Sequence, residues 1–342
     1  MTTKQAARHG GPGASAAECP RVTALQCMTI ATGQPELLGE ILQDALGWEP
    51  LVEHAISPPL ERQWGIAPGS AGARASVYRS AGTSRGMVRV VAGAERPRTR
   101  AMATRWAGVE MIVTRELDEL HARLSRYPAF HSFLPPSTWD WTEYGSNVHR
   151  AFIGSVPGGT HLAFTMGLTR PVGREFPTAA AQVGHVFDVP LVTTRFPECK
   201  RFYCETLGMV PFLQSEFRDH LWHRLWKLPP DSPARLDIYK GNAPGTGLGG
   251  IELQGYEPFI VDPEPAQVDR FDGGACLLTY TSDDIEAACA AVAADPAARL
   301  LSRPEALDFA PYDGARMFAF QGPAGERVEL VERAWSPVAP AP

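Results

Sequence analysis

The C-terminal half of the chain alternates short apolar runs with one amphipathic segment, and this order repeats. Residues 183–189 (VGHVFDV) predict a strand, and residues 196–207 carry apolar side chains at the spacing of a helix that stops at Gly208. Further apolar runs predict strands at 209–213, 221–225, 236–239 and 251–253. The same order recurs downstream as a strand at 275–281, a helix at 282–292 and strands at 300, 317–320 and 327–331.

The N-terminal half follows this order with weaker patterns. One unit is predicted as a strand at 25–31, a helix at 35–46 and strands at 76–78 and 87–91. The next is a strand at 109–114, a helix at 116–124 and strands at 150–153 and 161–165. The Leu-Gly pairs at 46–47 and 207–208 fall at corresponding helix ends. A period of about 70–85 residues is typical of duplicated supersecondary units, so we predict an α+β fold of four βαβββ modules.

The length of the chain predicts two domains. With 342 residues it exceeds a single average domain of roughly 150. We predict module boundaries near residues 100, 173 and 265. Modules one and two then form a domain at 21–172, modules three and four form a domain at 173–335, and residues 1–20 and 336–342 are tails.

Composition and charge exclude several classes of protein. Hydrophobic residues make up 44% of the chain and charged residues 20%, which is sufficient for packed cores. A net charge of −6 argues against a nucleic-acid partner. The apolar runs are too short to span a membrane, and residues 1–20 have no apolar core typical of a signal peptide. We therefore expect a cytoplasmic protein whose six cysteines are reduced thiols.

Two segments resemble a known family. FYCETLGM at 202–209 resembles the helix-to-strand segment of vicinal oxygen chelate proteins, the superfamily of glyoxalases, bleomycin-resistance proteins and extradiol dioxygenases. GPAGERVELVE at 322–332 resembles the closing hairpin of that family. The resemblance implies paired modules that curl into cups, with ligands for a divalent metal ion on the first and last strand of each module.

The resemblance assigns ligands in the C-terminal half. His185 matches the ligand on a first strand, and Glu252 and Glu329 match ligands on the last strands of modules three and four. We therefore predict that these three residues bind one divalent ion, with Mn, Fe, Zn and Ni not distinguished. The fourth position falls on Leu277, which coordinates nothing.

The first half matches the ligand pattern less well. Gln26 and Glu110 lie near first-strand positions, but Ala163 and Val90, with Arg89 beside it, occupy the last-strand places. We therefore predict a catalytic C-terminal cup and an N-terminal scaffold.

Other polar and aromatic residues are candidates for the cup. Tyr239, Tyr280 and Arg316 are predicted substrate contacts, while Tyr312 and His223 are predicted catalytic groups. The segment 137–144 (STWDWTEY) is predicted to be a loop. It forms either an aromatic wall for a substrate or, as we favour, a satellite cluster beneath a long loop.

The predicted ligand set favours one class of reaction. One His and two Glu resemble the glyoxalase-like members, which suggests a metal-dependent lyase, isomerase or epimerase for an oxygenated small molecule, with Glu252 or Glu329 as the base. The first alternative is a non-haem iron dioxygenase of the extradiol or hydroxyphenylpyruvate type, in which His223 supplies a second nitrogen. The second is a metal-free protein for small-molecule binding or resistance. A homodimer is compatible with each.

Overall fold

A computed structural model describes residues 21–70, 72–95, 106–170, 176–218, 220–241, 250–256, 271 and 273–335. The predicted module boundaries and both predicted tails lie outside these residues. The described strands are β1 (Ala24–Thr32), β2 (Glu49–Ala55), β3 (Arg74–Arg79), β4 (Met87–Ala92), β5 (Gly108–Val113), β6 (His131–Asp140), β7 (Val148–Ser155), β8 (His161–Gly167), β9 (Val183–Val192), β10 (Val210–Phe217), β11 (Ala234–Lys240), β12 (Gly250–Gly255), β13 (Gly274–Thr281), β14 (Arg299–Leu300), β15 (Glu305–Ala306), β16 (Arg316–Gln321) and β17 (Arg327–Val331).

Six α-helices within the described part of the chain accompany these strands. They are α1 (Pro35–Glu40), α2 (Pro58–Trp64), α3 (Leu117–Leu124), α4 (Phe196–Arg201), α5 (Leu221–Trp226) and α6 (Ile285–Ala294). Helices α1 and α4 each continue as one π-helical turn, and a glycine with positive φ, Gly47 or Gly208, follows each turn. Only glycine adopts this conformation without strain, so the matching Leu-Gly pairs mark equivalent helix ends, as predicted.

The strands form two sheets, and each sheet combines two modules. One sheet has the order β14-β16-β17-β13-β1-β4-β3-β2, with β15 beside β16, and therefore joins modules one and four. We call its concave side the first cup. The other sheet has the order β10-β11-β12-β9-β5-β8-β7-β6 and joins modules two and three. Its concave side is the second cup. The predicted fold of four βαβββ modules in two mixed, curled sheets is confirmed.

The predicted pairing of modules one with two and three with four is wrong. Strand β1 pairs antiparallel with β13, and β5 pairs antiparallel with β9, so each cup contains one module from each half of the chain. The separation into an N-terminal scaffold and a C-terminal catalytic cup is therefore also wrong. The alternation of apolar residues sets which face of a strand is buried, but it does not determine which strand lies at its edge.

The helices α1, α3, α4 and α6 pack with the convex faces of the sheets in the largest apolar core. Residues 221–225, predicted as a strand, instead form most of helix α5, because a short apolar run fits either periodicity. Helix α2 was not predicted and α5 was predicted as a strand, yet each helix lies between the second and third strands of its module and enters a cup. No helix among the described residues is long and apolar enough to cross a bilayer.

Candidate functional site

The second cup contains an open cavity. Its empty volume, the mouth included, is about 1170 Å³. Four of the eight tryptophans of the chain line it, namely Trp139, Trp141, Trp222 and Trp226. Trp139, on strand β6, and Trp141 line the cavity and also belong to a buried aromatic cluster apart from the main core, so this segment has features of both interpretations.

Three carboxylates converge on the central strands of this cup. Glu110 lies on β5, Asp188 on β9 and Glu252 on β12. The register places Glu110 opposite Asp188, and Asp188 beside Gly250, two residues before Glu252. One oxygen from each of the three side chains lies within 4.8 Å of the corresponding oxygens of the other two. The strands thus hold three oxygen donors at separations compatible with one shared cation.

Neighbouring groups orient these carboxylates. The Thr165 hydroxyl donates to Glu110, and the backbone N–H of Val189 donates to Asp188 Oδ1 at 2.9 Å. The Gln254 amide donates to Glu252. Asp188 Oδ2 has no hydrogen-bond partner among the described atoms.

The hydrogen bonds to Glu252 extend to the cavity wall. The indole N–H of Trp222 donates to the Tyr256 hydroxyl at 2.6 Å, and that hydroxyl donates to Gln254 Oε1 at 2.7 Å. The chain of contacts fixes the amide orientation of Gln254 and therefore the position of the Glu252 carboxylate.

The environment disfavours three negative charges at this site. Burial, followed by the charges of Glu252 and Glu110, raises the pKa of Asp188 well above its ordinary value. Burial and the charge of Glu110 raise the pKa of Glu252 to about 8. Burial also raises the pKa of Glu110. Protons or a bound cation must therefore neutralise the cluster at neutral pH.

No described lysine or arginine forms an ion pair with these carboxylates. Two histidines lie in the wall of the cavity. His149 stacks on Trp139, and His161 stacks on Trp226 with ring centroids 5.8 Å apart. Burial lowers the pKa of His149 to about 4, so its imidazole is neutral at pH 7. Protons held by the acids themselves, or a bound cation, would supply the neutralisation.

The first cup is filled by its own side chains. The Arg89 guanidinium donates to Glu329 Oε2 at 3.1 Å, and neither side chain is exposed. Three other groups donate to the same carboxylate: Trp64 Nε1 at 3.0 Å, the Tyr312 hydroxyl at 2.6 Å and the Thr279 hydroxyl at 2.6 Å. Arg89 also lies 4.5 Å above the ring of Trp64. Glu329 is therefore a paired, fully hydrogen-bonded structural acid.

The strand registers make positions in the two cups equivalent. Thr29 pairs with Leu277 and with Arg89 in the first cup, as Glu110 pairs with Asp188 and with Ala163 in the second. Glu329 pairs with Thr279, and Glu252 pairs with Pro190, two residues after Asp188. Four positions thus correspond: Thr29 to Glu110, Leu277 to Asp188, Glu329 to Glu252 and Arg89 to Ala163.

The structure does not bring together the predicted ligands His185, Glu252 and Glu329. Glu252 and Glu329 belong to different sheets. His185 is buried beside Gly86, and its pKa is lowered to about 4 by burial. Among the described residues, the group that converges with Glu252 is Glu110 and Asp188. The predicted set is corrected accordingly.

Asp188 was not predicted from the sequence, although Glu110 was correctly placed on a first strand. The register between β5 and β9 shifts at Glu110–Met111, so strict alternation from His185 does not lead to the residue that faces the cup. The sequence did contain one signal for Asp188. Leu277 lies as far before the start of α6 as Asp188 lies before the start of α4, so the two residues occupy equivalent positions in their modules.

The remaining predicted site residues lie elsewhere. Tyr312 belongs to the Arg89 network of the first cup. His223 donates from Nε2 to the Ser232 carbonyl at 2.9 Å, and its Nδ1 accepts from the backbone N–H of His220 at the start of α5. These contacts make His223 a structural residue of the helix.

The other predicted contacts are also outside the cavity. Tyr239 donates to Asp237 at 2.6 Å, and Tyr280 is buried in the core between the sheets. Arg316 is 42% exposed and forms ion pairs with Glu332 and Glu286. None of the three belongs to the described lining of the second cup.

Solved structures share this architecture. Glyoxalase I from Zea mays is 12% identical, with 90% of this chain and 92% of that chain covered and a TM-score of 0.60. A putative dioxygenase from Bacillus subtilis is 11% identical, with 92% and 86% covered and a TM-score of 0.59. No protein-family model and no curated protein sequence matches the chain. At these identities the similarity establishes the fold alone.

Proposed function

We propose that this chain, which has the vicinal oxygen chelate fold, is a metal-dependent lyase or isomerase whose site is the second cup. One observation carries the proposal. Glu110, Asp188 and Glu252 converge, one from each of three strands, within 4.8 Å of one another beneath an aromatic cavity. The substrate class is an oxygenated small molecule. The cytoplasmic location and the homodimer stay predictions.

The donor set fits a hard divalent cation. All three donors are carboxylate oxygens, which Mg²⁺ and Mn²⁺ prefer, whereas Zn²⁺, Ni²⁺ and Fe²⁺ sites usually include imidazole or thiolate. Asp188 Oδ2 has no hydrogen-bond partner among described atoms and is available as a ligand. Glu110, Asp188 and Glu252 would hold the ion. When bound, it polarises a carbonyl or hydroxyl oxygen of the substrate and acidifies the adjacent C–H.

Glu252 is the proposed proton carrier. Burial and the charge of Glu110 favour its protonated form, so a proton taken from the substrate is more stable here than on an exposed carboxylate. Gln254 orients one carboxylate oxygen, which leaves Oε2 to take the proton. Thr165 and the Val189 N–H hold the other two acids in place. The tryptophan walls give the transfer an apolar surround.

The absence of histidine from the three-residue group favours proton transfer over oxygen activation. Non-haem iron dioxygenases typically use two histidines and one carboxylate, whereas the group within 4.8 Å consists of three carboxylates. We therefore expect turnover to continue under argon. Oxygen consumption in proportion to product would restore the dioxygenase hypothesis.

A metal-free binding protein is the second candidate function. The raised pKa of Glu252, together with that of Asp188, would allow the acids to remain protonated at neutral pH without any ion. An aromatic cavity with protonated acids would bind a neutral ligand and perform no chemistry.

Calorimetric titration with Mn²⁺ separates these functions. The wild-type protein is expected to bind one ion, and Asp188→Asn, which preserves shape but removes charge, should weaken binding by at least about tenfold. Glu329→Gln is the matched control, because Glu329 occupies the position in the first cup that Glu252 occupies in the second. It should bind Mn²⁺ as the wild type does. If the wild-type protein binds neither Mn²⁺ nor Mg²⁺, the metal-dependent function is wrong and the binding function is favoured.

A further inference from the structure

The two cups contain one equivalent tryptophan each. Trp64 ends helix α2 and Trp226 ends helix α5, and both helices lie between the second and third strands of their modules. Each tryptophan follows an Arg-x pair and precedes a residue with positive φ, Gly65 or Lys227. The first cup therefore shows which contacts this tryptophan makes when side chains of the protein occupy the cup.

In the first cup, a flat group of the chain itself fills the space beneath this tryptophan. The planar Arg89 guanidinium lies 4.5 Å from the ring of Trp64, and the indole N–H of Trp64 donates to Glu329. In the second cup, the residue equivalent to Arg89 is Ala163, which ends at its methyl group. The place that the guanidinium fills in the first cup therefore lies at the cavity in the second, lined by Ala163 and by His161, whose ring stacks on Trp226.

Two tryptophans in the wall of the second cup have an indole N–H without a partner among the described residues. Trp226 and Trp139 line the cavity, and the indole N–H of each is buried and has no hydrogen-bond partner among the described residues. Trp226 is 5% exposed and Trp139 is 2% exposed. Trp48, Trp106 and Trp335, outside the cavity lining, also have a buried indole N–H without a partner among the described residues. Trp139 and Trp226 differ from these three in that both line the cavity. An acceptor oxygen on the ligand would satisfy them.

We infer that the second cup takes a flat aromatic compound that carries an acceptor oxygen, with its ring in the space between Ala163 and Trp226. Ala163 then determines specificity, because any long side chain there would occupy the place of the ring. The inference rests on the proposed function for the choice of cup, but it does not require the metal ion.

Two matched probes test the flatness of the ligand on metal-free protein. 2-Naphthol and decahydro-2-naphthol have the same carbon skeleton and one hydroxyl oxygen, and only the first is flat. Calorimetry should show that 2-naphthol binds about tenfold more tightly, since aromatic contacts add to the burial of apolar area. Equal binding, or tighter binding of the saturated probe, would overturn the inference without requiring any variant.

Substitutions locate the ring. Ala163→Arg should abolish 2-naphthol binding, because the new guanidinium would fill the space as Arg89 does, and Ala163→Ser should bind within about threefold of the wild type. Trp226→Leu should weaken binding by about tenfold. Binding of 2-naphthol to a folded Ala163→Arg variant at wild-type affinity would show that the ring lies elsewhere.

The proposed metal site and the proposed ring site can be refuted independently of each other. If the wild type binds 2-naphthol but not Mn²⁺, the metal-dependent function is wrong and the inference on the ring stands. If it binds Mn²⁺ but neither probe, the inference is wrong and the proposed metal site stands.

Discussion

Replacing Arg89 by Met tests whether the first cup is structural. Arg89 and Glu329 have no solvent exposure, and their charges lie 3.1 Å apart. Burial opposes the charge on Arg89, but Tyr312 and Glu329 outweigh it and raise the pKa of Arg89. Met has a similar length and no charge, so Arg89→Met leaves Glu329 as a buried acid without a cation.

The structure sets the size of the effect. Removing one partner of a buried ion pair typically costs about 3–5 kcal/mol, because the remaining charge is not compensated. Arg89→Met and Glu329→Gln should each lose stability of this order. The double variant should lose at least about 2 kcal/mol less than the sum, since neither charge remains. Arg316→Met is the surface control, and its exposed ion pairs predict a loss of at most about 1 kcal/mol.

Urea unfolding followed by tryptophan fluorescence measures these differences, and Mn²⁺ titration of the folded variants gives the functional readout. All variants should bind Mn²⁺ as the wild type does, because the ion is proposed to lie in the other sheet. The interpretation of the first cup is refuted if Arg89→Met lowers stability no more than Arg316→Met. It is also refuted if folded Arg89→Met protein no longer binds Mn²⁺.

Three further predictions concern titration and the misassigned histidines. Folded protein holds the proton of Glu252 up to about pH 8, against an ordinary pKa of 4.5, so unfolded protein binds fewer protons in this interval. Metal-free protein should therefore lose stability as the pH rises from 4.5 to 8, by at most about 5 kcal/mol. Thermal melts of Glu252→Gln should show a flatter profile, and an unchanged slope would contradict the raised pKa. His185→Phe should leave Mn²⁺ affinity unchanged in calorimetry, and a loss of affinity in folded protein would return His185 to the metal site. His223→Ala should lose about 1–3 kcal/mol in urea unfolding because it removes the contacts at α5, and an unaltered midpoint would argue against its structural role.

The elements with strong local patterns were predictable from the sequence. The strand at 327–331 was predicted with the bounds that it has in the structure, and the helix before Gly208 extends as expected through its π turn. In these segments the periodicity of the apolar residues is clear, and a nearby glycine marks a position where the backbone turns. The fold of four modules followed from repeating this pattern.

The arrangement of the modules was not predictable in the same way. Pairing of β1 with β13 brings together residues that are far apart in the chain, including the hydroxyls of Thr23 and Thr281 at 2.6 Å. No local pattern encodes such a contact. Consecutive elements are usually neighbours in space, and this expectation led to the wrong partner for each module.

The candidate site was predictable only in part. Glu252 was assigned correctly to a last strand, and Glu110 to a first strand, because both follow from counting along regular strands. Asp188 was missed because a register shift separates it from His185. Glu329 was misassigned as a metal ligand because it occupies the position equivalent to Glu252. The sequence does not reveal that Arg89 lies beside Glu329 and neutralises its charge.

Anomalous diffraction from crystals soaked in Mn²⁺ tests the central claim most directly. Data collected at the manganese edge locate the ion without reference to activity or substrate. We predict one strong anomalous peak within about 2.0–2.6 Å of carboxylate oxygens from Glu110, Asp188 and Glu252. A peak at His185 or Glu329, or well-diffracting soaked crystals with no peak in the second cup, would contradict the assignment.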